Sequence, residues 1–107
     1  MTLNEWAKAI HENAKNKGWW QEDRPFPEIV ALCHSELSEA LEAYRDSPDM
    51  VYGVIDEKPE GIAVELVDCI IRILDYCGHR GIDVEEVMRV KHEYNLTREY
   101  RHGGKAC

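Results

Sequence analysis

Apolar residues recur three or four positions apart along most of the chain, which is the spacing of one face of an α-helix. In the first such stretch they are Leu3, Trp6, Ala7, Ile10 and Ala14. Thr2 precedes them and Glu5 follows three positions later, which is the pattern of a capping box at a helix N-terminus. This stretch predicts a first helix over residues 3–17, ended by Gly18.

The same spacing predicts two longer helices in the middle of the chain. The second helix covers about residues 27–44, with Pro27 in the first turn, where proline is well tolerated. The third covers about residues 61–77 and is ended by Gly78 and Gly81.

A fourth helix follows Asp83, a residue suited to cap a helix N-terminus, and reaches at least Tyr94. The segment between the second and third helices, residues 45–60, is rich in proline, glycine and acidic residues and predicts a connecting loop. No pattern typical of a β-hairpin is present. The expected fold class is therefore all-α, a four-helix bundle in a single domain over residues 1–107.

Two of the predicted helices carry acids three positions apart, which places both acids of a pair on one helix face. The pairs are Glu36 with Glu39 on the second helix and Glu65 with Asp68 on the third. Glu36 falls inside the apolar face, where an unpaired carboxylate would be costly. If the helices pack together, four carboxylates converge and their repulsion requires protons or a cation, for which oxygen ligands favour Mg²⁺ or Mn²⁺. The alternative is a solvated surface on which Asp68 pairs with Arg72.

The third helix is apolar over about 240° of its circumference at 100° per residue. The remaining wedge holds Glu65, Asp68, Arg72, Asp75 and His79. Because three partner helices can hardly cover so broad an apolar surface, we expect the bundle to be completed by homo-oligomerisation, as a homodimer or a higher oligomer.

Polar residues also lie within the apolar arc of the fourth helix. Lys91, Asn95 and Arg98 share this arc, and cations and amide donors suit phosphate oxygens. In the alternative, the two cations extend to solvent or pair with acids of a neighbouring helix. His102 and Lys105, in the tail, are further candidate phosphate contacts.

Aromatic residues precede the second helix and could hold a flat ligand. Trp19 and Trp20 offer faces on which a nucleobase could stack, and packing in the core is the alternative for both.

Composition limits the partners. A net charge of −8 disfavours nucleic acid, and no run approaches the roughly 20 apolar residues of a membrane span. An apolar signal segment is absent from the first residues, and the four cysteines form no CxxC pair. We therefore expect a cytoplasmic protein with reduced thiols and no membrane partner.

Taken together, these motifs resemble the MazG-like nucleotide pyrophosphohydrolases. The family carries an ExxE pair on one helix and ExxD on the next, similar to Glu36-Leu-Ser-Glu39 and Glu65-Leu-Val-Asp68 here. Downstream, Lys91, Asn95 and Arg98 resemble the family's phosphate-contacting KxxxNxxR segment. Ser35 stands where the family often has another glutamate, so the resemblance implies four principal carboxylates rather than five.

The resemblance implies a homodimer or homotetramer that binds Mg²⁺ through Glu36, Glu39, Glu65 and Asp68. It further implies hydrolysis of a (deoxy)nucleoside triphosphate to the monophosphate and pyrophosphate, which removes noncanonical or surplus nucleotides. The metal would acidify an attacking water, Glu39 would accept its proton, and Lys91 and Arg98 would hold the leaving pyrophosphate.

Three alternatives remain at this point. A phosphoribosyl-ATP pyrophosphohydrolase would use the same chemistry on the same fold. A non-catalytic helical module would present the acids to a partner. A di-iron or di-manganese redox bundle would need ExxH pairs, whereas both pairs here end in a carboxylate.

Overall fold

The computed structural model describes residues 1–100 and is mostly helical, which confirms the helical part of the prediction. Its elements are α1 (Leu3–Asn16), α2 (Phe26–Asp46), β1 (Gly53–Ile55), β2 (Lys58–Glu60), α3 (Ile62–Arg80) and α4 (Val84–Thr97). Within these described residues, no helix is long and apolar enough to cross a membrane.

The predicted starts of the first and fourth helices are confirmed by their caps. Thr2 Oγ1 accepts a hydrogen bond from the Glu5 backbone N–H at 3.1 Å, and Glu5 Oε1 accepts one from the Thr2 backbone N–H at 2.8 Å. At the start of α4, Asp83 Oδ1 accepts from the Glu86 backbone N–H at 3.1 Å. Each bond satisfies a donor that the first helical turn would otherwise leave without a partner.

The third helix ends at Gly81, as predicted, but the predicted stop at Gly78 is wrong. Helix α3 continues through Gly78 to Arg80, and Gly81, with φ 67°, ends it in the left-handed conformation. A Cβ at Gly78 would lie 2.6 Å from the Ala7 carbonyl oxygen and 2.8 Å from His11 Cβ. Gly78 therefore allows α1 to pack closely against α3, and it does not end the helix.

The predicted loop at residues 45–60 contains a small hairpin, so the expectation of no hairpin is also wrong. Strands β1 and β2 pair antiparallel, with Ile55 opposite Lys58. The two residues between them, Asp56 and Glu57, have φ values of 51° and 66°. Two consecutive positive φ values are what a two-residue type I′ turn requires. Glu57 stands where such turns favour glycine, which hid the hairpin from the sequence pattern.

Helix α3 is central and packs against both α1 and α2. The buried apolar residues are few: Ala7, Ile29, Ala40, Cys69 and Leu74. On the outer side of α3, Leu66, Ile70 and Ile73 are 44%, 49% and 47% exposed. The broad apolar surface predicted for this helix is therefore present, and its cover by a second chain remains a prediction.

Helix α4 is attached to the body at its N-terminal end. Asn4 of α1 donates from Nδ2 to Asp83 Oδ1 at 2.8 Å and accepts at Oδ1 from the Val84 backbone N–H at 2.8 Å. None of the residues of α4 is buried.

Candidate metal centre

Acidic side chains from α2 and α3 meet where these helices pack. One carboxylate oxygen from each of Glu36, Glu65 and Asp68 lies within 4.8 Å of the other two. The i,i+3 spacing puts Glu65 and Asp68 on one face of α3, and α2 brings Glu36 to that face. Three of the four predicted ligands thus share one place, which we call the carboxylate cluster.

Glu39, the fourth predicted ligand, lies at the edge of the carboxylate cluster. Its side chain is exposed, one turn along α2 from Glu36. The carboxyl groups of Glu39 and Glu65 are close enough to share a hydrogen bond.

The environment of the cluster favours protonated carboxyls. Burial, then the hydrogen bond and charge of Glu39, raise the pKa of Glu65. Burial, followed by the charges of Glu36 and Glu39, raises the pKa of Asp68, although Arg72 and Lys58 oppose this. The metal-free protein therefore holds these carboxylates at an electrostatic cost that a bound cation would remove.

The guanidinium group of Arg72 lies against the carboxylate cluster, with a different partner from the one considered in the sequence analysis. Arg72 Nε donates to Glu36 Oε1 at 2.8 Å, rather than pairing with Asp68 on its own helix. Glu36 is 7% exposed, so this bond offsets part of the cost of burying its carboxylate. Arg72 lies in the polar wedge of α3, but its partner on α2 depends on how the two helices pack.

A cluster with only carboxylate oxygens suits a hard divalent ion such as Mg²⁺ or Mn²⁺. Mg²⁺ commonly binds through one or two carboxylates and keeps several waters, and Glu36, Glu65 and Asp68 supply enough oxygens. The residues present therefore fit the predicted metal.

The predicted phosphate-binding residues of α4 lie elsewhere in the chain. Lys91 Nζ is 5.0 Å and Arg98 Cζ 5.6 Å from the ring centroid of Tyr94. Lys91 and Asn95 line an open groove of about 480 Å³ that includes Ile82 and no residue of the carboxylate cluster. A role for these residues in substrate binding stays a prediction. The other two candidates, His102 and Lys105, lie outside the described residues.

The two tryptophans have different surroundings. Trp20 Nε1 donates to both oxygens of Asp75, at 3.0 and 3.1 Å, and its ring stacks on His79 with centroids 4.1 Å apart. Trp19 is 60% exposed. The Arg24 guanidinium carbon is 5.7 Å from each indole centroid, within the range of a cation–π contact. Trp19 therefore keeps a free face, whereas Trp20 is tied into the protein.

Asp75 belongs to a buried polar network that sequence reasoning missed. His11 Nδ1 lies 2.8 Å from Asp75 Oδ1, and both residues are only 8% exposed. With Trp20 as a second donor, Asp75 has close partners on both oxygens. We call these three residues the Asp75 network. The available hint was His11 on the same face of the first helix as Ala7 and Ala14, which is the face that packs on α3.

The fold and the site together define a class of protein: mostly helical, with a carboxylate cluster between two adjacent helices. The chain is 30% identical over 102 residues to YvdC, an uncharacterized protein of Bacillus subtilis (strain 168), covering 91% of this chain and 92% of YvdC. The chain therefore belongs to the same family as YvdC. No protein-family model matches the sequence, and no solved structure matches it either.

Proposed function

We propose that this protein is a Mg²⁺-dependent nucleoside triphosphate pyrophosphohydrolase of the MazG-like kind. The observation that carries the proposal is the meeting of Glu36, Glu65 and Asp68 within 4.8 Å. A cluster that brings like charges together at a cost is expected where a cation binds in the working state.

In this proposal Glu36, Glu65 and Asp68 hold the metal, and the exposed Glu39 beside them completes the set. When bound, Mg²⁺ would neutralise charge on the phosphate oxygens and lower the pKa of an attacking water. Glu39 is the most accessible carboxylate and is suited to accept the proton of that water. Arg72 holds Glu36 in place through its 2.8 Å bond.

Substrate binding in this proposal uses Lys91, Asn95 and Arg98 for the pyrophosphate portion and the free face of Trp19 for the base. The active assembly is a homodimer or homotetramer, which the exposed apolar side chains of α3 support. The physiological role would be removal of noncanonical or surplus nucleotides.

The test is pyrophosphate release from a panel of nucleoside triphosphates, with and without Mg²⁺, with phosphoribosyl-ATP included. We expect pyrophosphate and a nucleoside monophosphate, in a Mg²⁺-dependent reaction. Orthophosphate as the first product, or no turnover of any panel member, would contradict the proposal. Turnover of phosphoribosyl-ATP alone would assign the same chemistry to the other substrate.

The matched variants are Glu36→Gln and Glu42→Gln, which remove one carboxylate each from α2. Glu36 is in the carboxylate cluster, whereas Glu42 is exposed and lies 3.4 Å from Arg45. We expect E36Q to lose at least about 100-fold in activity with unchanged helical circular dichroism, since it removes a direct ligand. E42Q should keep wild-type activity.

A further inference from the structure

A cavity of about 220 Å³ lies between α1, the segment that joins α1 to α2, and α3. It adjoins the carboxylate cluster, because Arg72 lines the cavity and also bonds Glu36 at 2.8 Å. Pockets that enclose a whole drug-sized ligand measure roughly 300–1,000 Å³, so this cavity suits one flat ring system rather than an entire nucleotide. We call it the ring pocket.

The lining of the ring pocket is partly apolar and partly aromatic. Its apolar side chains are those of Ile10, Ala14 and Ile71. Trp19, which is 60% exposed, is the aromatic residue of the lining. Aliphatic side chains and an indole together suit a flat ring, which gains from stacking and from leaving water.

Two guanidinium groups line the ring pocket and retain unused hydrogen-bond donors. Arg72 donates from Nε to Glu36, and its two terminal nitrogens have no hydrogen-bond partner within residues 1–100. Arg24 lies 3.5 Å from Glu28 and makes no hydrogen bond with the described part of the chain. Because the Arg24 side chain is only 12% exposed, water reaches few of its five N–H groups. Both arginines are therefore placed to donate to a ligand in the pocket.

The charges around the ring pocket disfavour a phosphate there. The charge of Arg24 is offset by Glu28 at 3.5 Å. The charge of Arg72 is offset by Glu36 at 2.8 Å, and Asp75 in the lining adds a negative charge. An anion would gain little from such surroundings, whereas a neutral carbonyl oxygen needs only the N–H donors.

Acceptors are scarcer than donors in the ring pocket. Asp75 accepts from Trp20 Nε1 on both oxygens, and His11 Nδ1 lies 2.8 Å from its Oδ1. Asn13, whose side-chain amide can donate or accept, is exposed. A ring that presents acceptors would therefore find partners, whereas an amino group would face N–H groups and leave them unpaired.

We propose that the ring pocket binds the nucleobase of the substrate and selects a base with a carbonyl group over one with an amino group. Arg24 and Arg72 donate to that carbonyl oxygen, which is O4 of a pyrimidine or O6 of a purine. The inference rests on the proposed function, because it takes the ligand to be a nucleotide whose phosphates lie at the carboxylate cluster. Arginine donors that distinguish a carbonyl from an amino group on a base edge provide on the order of 10- to 100-fold discrimination.

Two matched pairs of triphosphates test the selection. The members of each pair share ring system and sugar, and one carries a carbonyl where the other carries an amino group: dITP with dATP, and dUTP with dCTP. We expect kcat/KM to be on the order of 10- to 100-fold higher for dITP and dUTP than for their partners. Equal values within both pairs, or higher values for dATP and dCTP, would overturn the proposal.

Variants of Arg24 assign the selection to the ring pocket. R24M removes the donors and keeps an apolar side chain, so kcat/KM should fall about tenfold more for dITP than for dATP. R24K keeps the charge beside Glu28 but not the planar fork, and it should also weaken the preference. The matched control is R45M, because Arg45 lies 3.4 Å from Glu42 and its side chain is 63% exposed. An unchanged preference in both R24M and R24K would contradict the proposal.

Binding of nucleosides tests the ring pocket without turnover or metal. Deoxyinosine and deoxyadenosine are titrated into ¹⁵N-labelled protein, and the indole N–H signal of Trp19, assigned with W19F, reports binding by nuclear magnetic resonance. We expect deoxyinosine to shift this signal at about tenfold lower concentration in the wild type, and the difference to shrink in R24M. No shift with either nucleoside would overturn the ring pocket.

The two assays separate failure of this inference from failure of the proposed function. If no triphosphate releases pyrophosphate but deoxyinosine still binds more tightly than deoxyadenosine, the proposed function fails and the ring pocket stands. If pyrophosphate is released at equal rates within both pairs, the proposed function stands and the base selection fails.

Discussion

Two buried acidic groups, one on α3 and one on α2, have surroundings that differ in a way that separates structure from function. Asp75 is 8% exposed and has donors on both oxygens, from His11 and Trp20 at 2.8–3.1 Å. Glu36 is similarly buried and contacts Arg72, but Glu65 and Asp68 also converge on it. One carboxylate faces donors, and the other faces further carboxylates.

The two regions differ in how far their own contacts offset the free-energy cost of burying a carboxylate. In the Asp75 network, the hydrogen bonds of the folded chain replace those lost to water, so no ligand is needed. In the carboxylate cluster, burial and neighbouring acids raise the pKa of Glu65 and Asp68. The contacts of the folded chain therefore offset only part of the free-energy cost of holding these carboxylates in their ionised form. The cluster is therefore the place where a cation would stabilise the protein, and the Asp75 network is not.

The largest expected effect is stabilisation by Mg²⁺. At 100 times its dissociation constant, a ligand bound by the folded state alone stabilises it by about 2.7 kcal/mol. The melting temperature of the wild type and of D75N should rise with Mg²⁺, whereas that of D68N should rise much less. Differential scanning calorimetry across a Mg²⁺ series measures this. A rise of equal size in D68N would remove Asp68 from the metal site.

A smaller effect is expected from removing one acid in each region, in the absence of metal. D75N replaces an acceptor oxygen with an amide donor that faces the donors of His11 and Trp20, which should cost about 1–3 kcal/mol of unfolding free energy. E65Q removes a charge from a repulsive cluster and should leave stability unchanged or raise it. Urea unfolding of both variants measures the contrast. Equal destabilisation would mean that the two regions do not differ as described.

The ion pair at the cluster should contribute less. R72M removes the donor to Glu36 and a charge that opposes the raised pKa of Asp68, at a cost of about 1 kcal/mol without metal. Because the Arg72 side chain is 32% exposed, solvent weakens the interaction. R89M is the control, since Arg89 pairs only with acids of its own helix among the described residues. A larger loss in R89M than in R72M, in urea unfolding, would contradict this ranking.

The sequence predicted the features that depend on local chemistry. Thr2 and Glu5 identified the first cap, and the i,i+3 spacing placed Glu65 and Asp68 on one face of α3, because both patterns act within one or two helical turns. The meeting of these two acids with Glu36 was expected only on the condition that the two helices pack together. Gly78 could not be interpreted locally, since a glycine that ends a helix and one that admits a neighbouring helix look the same in sequence.

Contacts between distant segments lay beyond this reasoning. Arg72 bonds a residue 36 positions away, and His11 bonds one 64 positions away. Periodicity shows which face of a helix is buried, but not which side chain of another helix it meets. The Asp75 network and the partner of Arg72 therefore became visible only in the folded chain.

The smallest expected effect, and the one most specific to the cluster, is the pH dependence of metal-free stability. The pKa values of Glu65 and Asp68 are raised above their ordinary 4.5 and 3.8, so the folded state binds more protons than the unfolded state in this range. Their contribution is therefore fully present below the ordinary values and is lost as pH rises through the raised ones. Metal-free unfolding free energy should fall from pH 4.5 upward until both groups are ionised.

Two features of the measurement assign that slope to the cluster. The pKa values of Glu5 and Asp83 are lowered by their helix-cap hydrogen bonds, so their contribution is lost only as pH falls below the ordinary range. The difference between wild type and an E65Q/D68N double variant cancels every group outside the cluster. Saturating Mg²⁺ should reverse the wild-type slope, because the metal binds only the ionised carboxylates. A wild-type slope that neither the double variant nor Mg²⁺ alters would show that Glu65 and Asp68 titrate as ordinary surface acids.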